Sequence, residues 1–159
     1  MSEFETSIPL RLIPGSKSLD RSASLPPDGL ELEFGMHGGV AEHYGQTPPN
    51  PLPSTLDYLV ASVGGCLIGT FAGSLRRARV PVTPETLTAT ATGHVTSDED
   101  GVLVLRSVRI DYRLELDDEH RGAAKEVHEV HAGRCPNARS VSPSITIETE
   151  LEVVDPVPA

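Results

Sequence analysis

The chain has 159 residues, 38% of them hydrophobic and 23% charged, with 3 Phe, 3 Tyr and no Trp. That composition excludes a disordered tail and a membrane protein, and it requires one domain whose core is built from aliphatic and small side chains. The formal net charge of −10 repels phosphate backbones and anionic lipid, so neither nucleic acid nor a membrane surface is an expected partner.

Residues 1–28 read as a variable N-terminal segment, and the first 50 residues are broken throughout by Pro and Gly. The opening MSEFETSIPLRL lacks a basic stretch followed by an apolar one, so no secretory signal is expected and the cytoplasm is the expected compartment. There, two cysteines are thiols or a working redox pair rather than a structural staple. Ile8–Leu12 is a weak strand candidate. Gly29–Phe34 is a clear one, with Leu30, Leu32 and Phe34 on one face and Glu31 and Glu33 on the other. Residues 35–53 read as loop.

A central helix is expected over 54–79. Ser54-Thr-Leu-Asp57 fits a capping box, in which the Ser hydroxyl and the Asp carboxylate each satisfy a backbone N–H. Arg76, Arg77 and Arg79 suit its C-terminus, and Pro81 is expected to stop it. From Tyr58 to Leu75 there is no charge, which raises the question of a membrane span. Four glycines, with Ser62, Thr70 and Ser74, dilute that apolar run, and a helix buried in a soluble protein is the expected reading. Ala61, Gly65, Gly69 and Gly73 recur every four residues along one helical face. Each Gly costs a helix roughly 0.5–1 kcal/mol against Ala, so the stripe calls for close approach of another backbone. That backbone is either the same helix of a second subunit, crossing at a two-fold axis, or a strand of the chain's own sheet.

Leu87–Val95, Val108–Glu115 and Ile145–Val153 alternate as strands, and SDEDG over 97–101 reads as a hairpin turn. A second helix is expected over 118–132, with Ala123, Ala124, Val127 and Val130 on its apolar face. The order gives an α+β fold in which an antiparallel sheet covers a buried helix.

Cys66 lies in the apolar helix and Cys135 in GRCPNAR, a polar loop where Arg134 and Arg139 favour thiolate. A lone buried Cys is usually inert packing. A helix Cys with a second Cys beside arginines suits a peroxidatic and resolving pair, in which one thiolate cleaves a peroxide O–O bond and the other closes a disulfide. His128 and His131, at i and i+3 with Cys135 four residues on, offer a rival zinc reading; the plain alternative is a solvated helix face.

The stretch from Ser54 to Cys66 resembles the central helix of the OsmC/Ohr family, the osmotically inducible and organic-hydroperoxide-resistance proteins, which shows a Pro-x-Glu-Leu-Leu-x-Ala-x-x-Gly-x-Cys pattern. Arg134-Cys-Pro-Asn-Ala-Arg-Ser-Val resembles its Cys-Pro-x-(Ser/Asn) segment. The likeness runs from about Leu30 to Val153, in a general OsmC-like member. It implies an OsmC-like α+β fold, a sheet wrapped around the long helix, in an intertwined homodimer whose central helices cross. It also implies reduction of organic hydroperoxides by Cys66, resolution by Cys135, re-reduction by an external dithiol of the lipoyl type, and no metal or bound cofactor. An Arg–carboxylate pair activates the thiol in that family. Here the carboxylate matches Asp57 in the broader OsmC-like register and the uncharged Leu56 in the hydroperoxide-resistance register. The Arg matches Arg21 best, with Arg11 as fallback. Asp57 precedes Cys66 by nine residues, about 13.5 Å along a straight helix and half a turn away, so it cannot touch the Cys66 of its own helix. A small-molecule-binding dimer of the same fold without peroxidase activity is the other reading left open.

Overall fold

The computed structural model describes residues 3–16, 20–46 and 51–156. The chain divides into two compact units, 1–58 and 59–159. The first holds a three-stranded antiparallel sheet of β1 (Leu10–Leu12), β2 (Arg21–Leu25) and β3 (Leu30–Phe34), followed by a short helix, α1 (Gly38–His43). β1 is shorter than the Ile8–Leu12 expected. β2 has no alternating apolar pattern to announce it. α1 forms inside the stretch expected to be loop, where Ala41 is 1% exposed and anchors it. Leu10, Leu12 and Leu30 stand 72%, 59% and 65% exposed, so this sheet carries exposed aliphatic side chains.

The long helix α2 (Thr55–Arg77) starts where the capping box requires. Ser54 N–H donates to Asp57 Oδ2 at 2.7 Å, and Asp57 N–H donates to Ser54 Oγ at 3.2 Å. Its first turn is tied to β3: Tyr58 OH donates to the Glu33 carbonyl at 3.1 Å, and the Phe34 and Tyr58 rings meet edge to face at 4.8 Å.

The helix ends two residues before the expected Arg79, and Pro81 does not end it. Arg79 takes φ 60°, Val80 N–H donates to the Leu75 carbonyl at 3.0 Å, and Arg79 N–H donates to the Arg76 carbonyl at 3.1 Å. That is a Schellman termination, with Val80 folded back as a buried apolar plug. Its left-handed position is held by an arginine rather than a glycine.

The second unit carries β4 (Leu87–Ser97), β5 (Leu103–Glu115), α3 (Asp118–His131), a 3-10 turn (Ala132–Arg134), α4 (Pro136–Val141) and β6 (Thr146–Val154). β4 and β5 form the hairpin expected at 97–101, with its turn at 98–102, where Asp98 N–H donates to the Val102 carbonyl. The register slips between His94 and Val95, leaving Arg106 as the extra residue of β5. The buried set of β5 accordingly switches parity, from Leu105 to Val108, Ile110, Tyr112 and Leu114.

β6 pairs with β5 in parallel. The sheet is therefore mixed rather than antiparallel, because α3 carries the chain back across before β6 begins. Among the described residues the fold is α+β, with two three-stranded sheets and one long helix.

Within the second unit, α2 buries Val63, Leu67, Phe71 and Leu75 toward the sheet, and the Phe71 and Tyr112 rings lie 4.9 Å apart. Gly64 makes the approach possible: a Cβ there would come 2.8 Å from Ala91 Cβ. On another side of α2, Ala61, Gly65 and Gly69 are exposed. By length and composition the helix could cross a membrane, but a third of its apolar window is buried inside the fold. A Cβ built on Gly65, Gly69 or Gly73 meets no atom within 4 Å among the described residues, so the small-residue stripe does not serve the chain's own sheet.

The arginine at a left-handed position yields a stability test. Arg79→Gly is expected to raise unfolding free energy by about 0.5–1 kcal/mol, read as a higher denaturant midpoint at unchanged m-value.

Candidate functional site

Three residues of α2, Ser62, Cys66 and Thr70, follow one another at intervals of four and form a row on one side of the helix. Facing that row is the segment that leaves α3. Cys135 is the N-cap of α4, with Pro136 at its first helical position, and its sulfur accepts the Ala138 N–H at 3.5 Å. Asn137 Nδ2 donates to the Ser62 carbonyl at 3.0 Å and to Ser62 Oγ at 2.8 Å. The Cys66 thiol and the Thr70 hydroxyl lie close enough to the Cys135 sulfur to act on its ionisation. Both cysteines are free thiols. Two cysteines 69 positions apart in sequence (135 − 66) thus meet side by side.

Their environments are the reverse of those expected. Cys135 is fully buried rather than in a polar loop, and Arg134 and Arg139 are exposed. Burial pushes the Cys135 thiol up. The Ala138 N–H opposes this, the adjacent Cys66 adds to it, and the Thr70 hydroxyl opposes it; the result is a pKa above the ordinary thiol value. Cys66 is the half-buried one of the two, and therefore the one a solute can reach.

Behind Cys135 lies a cluster of rings that sequence reasoning missed. Tyr112, Phe71 and His131 are fully buried, and the His128 and His131 rings lie tilted against each other with centroids 5.1 Å apart. His131 Nδ1 lies 2.6 Å from the His128 carbonyl, to which it donates, leaving Nε2 to accept from Tyr112 OH at 2.9 Å. Both nitrogens of His131 are committed inside the protein. This overturns the zinc reading of His128 and His131, and the solvated-face reading with it. Among the described residues no group of three or more His, Cys, Asp or Glu is placed to hold a metal ion.

The buried face of α3 runs through Ala124, Val127, His128 and His131, while Val130, expected inside, is 48% exposed. Burial lowers the pKa of His131 and of His128, and it raises that of Tyr112, with the nearby Cys135 charge adding to the rise.

The first unit holds the other sequence candidates. Asp57 Oδ2 accepts from Ser54 N–H and Ser54 Oγ, each at 2.7 Å, and lies 2.8 Å from His37 Nε2. Partial burial alone would push the Asp57 carboxyl up; the Ser54 donors and His37 outweigh it and hold the pKa below the ordinary value. His37 was not foreseen as a partner of Asp57. Arg21 opens β2 and donates from Nη2 to the Gly35 carbonyl at 3.3 Å. Arg11 pairs with Glu31 at 3.2 Å. Both arginines line an apolar hollow of about 440 Å³ with Leu10, Leu12, Phe34 and Thr55.

The ring cluster sets a pH response. In the folded state His131 and His128 hold their protons less well than in the unfolded chain, where the value is near 6.5. Stability is therefore complete above about pH 6.5 and falls as pH drops below it, approaching about 1.4 kcal/mol per pH unit for each proton that only the unfolded chain binds. The midpoint of thermal unfolding is expected to fall between pH 7 and pH 5.5, and His131→Gln to flatten that slope. An unchanged slope in the variant would remove His131 as its source.

The OsmC-like protein family model matches residues 48–150. No curated protein sequence matches the chain. Among solved structures, an OsmC-like protein from Mycoplasma pneumoniae is similar at 15% identity and TM-score 0.73, over 96% of this chain and 99% of that one. An OsmC-like protein of unknown function from Vibrio cholerae is similar at 15% identity and TM-score 0.75, over 94% and 100%. The organic hydroperoxide resistance protein of Bacillus subtilis is similar at 17% identity and TM-score 0.65, over 92% and 98%. At these identities the likeness is one of fold.

Proposed function

We propose, from the premise that this chain belongs to the OsmC-like protein family, that it is a single-domain cytoplasmic peroxidase acting on organic hydroperoxides as a homodimer. The observation that carries the reading is the pairing of two free thiols near enough to influence each other, one half-buried on α2 and one fully buried at the start of α4. The Cys66 thiolate attacks the distal peroxide oxygen, breaking the O–O bond; the alkoxide leaves and takes a proton to become the alcohol, and Cys66 becomes a sulfenic acid. The Cys135 thiol then attacks the Cys66 sulfur and expels the oxygen as water, closing the disulfide. An external dithiol of the lipoyl type supplies the two electrons and two protons that reopen it. The asymmetry of the pair supports this division of roles, because the more accessible thiol meets substrate while the buried one, held neutral by its raised pKa, waits.

Arg21, with Asp57 as its carboxylate, enters as the activating pair on the family resemblance. The name of the B. subtilis relative supports hydroperoxides as the substrate class. The uncovered stripe of Gly65, Gly69 and Gly73 on α2 and the exposed leucines of the first sheet support the dimer, since a second copy would cover both.

One equivalent of cumene hydroperoxide is expected to lower the intact mass of the wild type by two hydrogens. Cys66→Ser is expected to be inert, and Cys135→Ser to accumulate a sulfenic acid that dimedone traps. Unchanged mass with both thiols still alkylatable would sink the peroxidase reading. For the dimer, Gly69→Leu places bulk on the stripe without weakening the helix, since Leu is the better helix former. Light scattering on the eluted protein is expected to show a dimer for the wild type and a shift toward monomer for the variant; a variant that stays fully dimeric removes the stripe from the interface.

A further inference from the structure

The two thiols meet because the start of α4 is fastened to α2, and the fastening is the side chain of Asn137. Its Nδ2 donates to two oxygens of one residue, the Ser62 carbonyl at 3.0 Å and the Ser62 hydroxyl at 2.8 Å. The Ser62 carbonyl is also the natural acceptor for the Cys66 N–H, four residues on in the same helix. Asn137 therefore grips the turn of α2 that leads into Cys66. Cys135, two residues before Asn137, is thereby delivered against Cys66, and Thr70, one turn beyond, reaches the same sulfur. The grip requires a donor, because both atoms it meets are oxygens that accept. An isosteric carboxylate would face the carbonyl with like partial charge.

We propose that Asn137 is a positioning residue for closure of the Cys66–Cys135 disulfide, setting how often the Cys135 thiol lies in line with an oxidised Cys66 sulfur without itself touching the reacting atoms. The proposal rests on the peroxidase reading only for the natural oxidant, since any two-electron oxidant of the thiol pair exposes the same step. Diamide is such an oxidant: one thiolate adds to its N=N bond, the second displaces the resulting hydrazine, and the protein is left with the same disulfide. Alignment is an entropic contribution, lost when the start of α4 is free to swing from α2.

The experiment follows disulfide closure by free-thiol counting in wild type, Asn137→Ala and Asn137→Asp, once with one equivalent of cumene hydroperoxide and once with diamide. Both variants are expected to close roughly five- to tenfold more slowly with either oxidant, the scale of one lost hydrogen-bonded clamp. Dimedone trapping at Cys66 should rise in parallel after peroxide, while alkylation of Cys66 by iodoacetamide keeps its wild-type rate. A merely structural role for Asn137 would alter alkylation and closure together. Wild-type closure rates in both variants overturn the proposal. Slowed closure with diamide, combined with a wild type that cumene hydroperoxide leaves reduced, upholds the proposal and defeats the peroxidase reading. If circular dichroism shows Asn137→Ala unfolded, Asn137→Asp, which keeps the side-chain volume, gives the same two readings.

Discussion

The docking of Val63, Leu67, Phe71 and Leu75 toward the second sheet fixes the rotation of α2 about its own axis, and the remaining functional features inherit that rotation. The helix carries three rows that each advance by four residues: this apolar row, the thiol-bearing row of Ser62, Cys66 and Thr70, and the small row of Ala61, Gly65, Gly69 and Gly73. Because the rows share one rigid cylinder, burying the first aims the other two. Gly64 lets the helix come close enough for Phe71 to reach Tyr112, and the same closeness brings Cys66 and Thr70 to the chain that leaves α3.

That chain segment has its own logic. A parallel return from β5 to β6 needs a crossover, and α3, the 3-10 turn and α4 form it. Cys135 sits at a joint of the crossover, where Pro136 starts a new helix and the sulfur caps it. Its burial follows from this position and not from its neighbours in sequence. Arg134 and Arg139 flank it on paper yet point to solvent, and the buried rings of Tyr112, His131 and Phe71 set the local medium. A low-dielectric surround disfavours thiolate, so the structure separates two chemically identical side chains into a reachable thiol and a withheld one.

The short-range signals were legible where one local interaction decides. The Ser54–Asp57 capping box, the hairpin around 98–102 and the alternating strands all formed where the residues require. The helix end was misread because a Schellman closure on Arg79 replaced the proline stop, and nothing short of backbone geometry distinguishes the two. The burial of His131 was missed because imidazole counts as polar in any pattern, although the spacing from Ala124 to His131 is that of a buried helical face. The row of Ser62, Cys66 and Thr70 was available from spacing alone, but its meaning needed Asn137 and Cys135 opposite it.

The sequence by itself determined the long helix with its capping box, the alternating strands, the family resemblance, the two cysteines and the stripe of small residues, because these depend on residue identity and on periods of two and four along one chain. Only the tertiary structure decided which thiol is the more accessible, that Cys66 and Thr70 lie beside the Cys135 sulfur, and that Asp57 meets His37. Those outcomes depend on contacts between segments 20 or more residues apart, where burial and distance, not neighbours in sequence, set both charge state and reach.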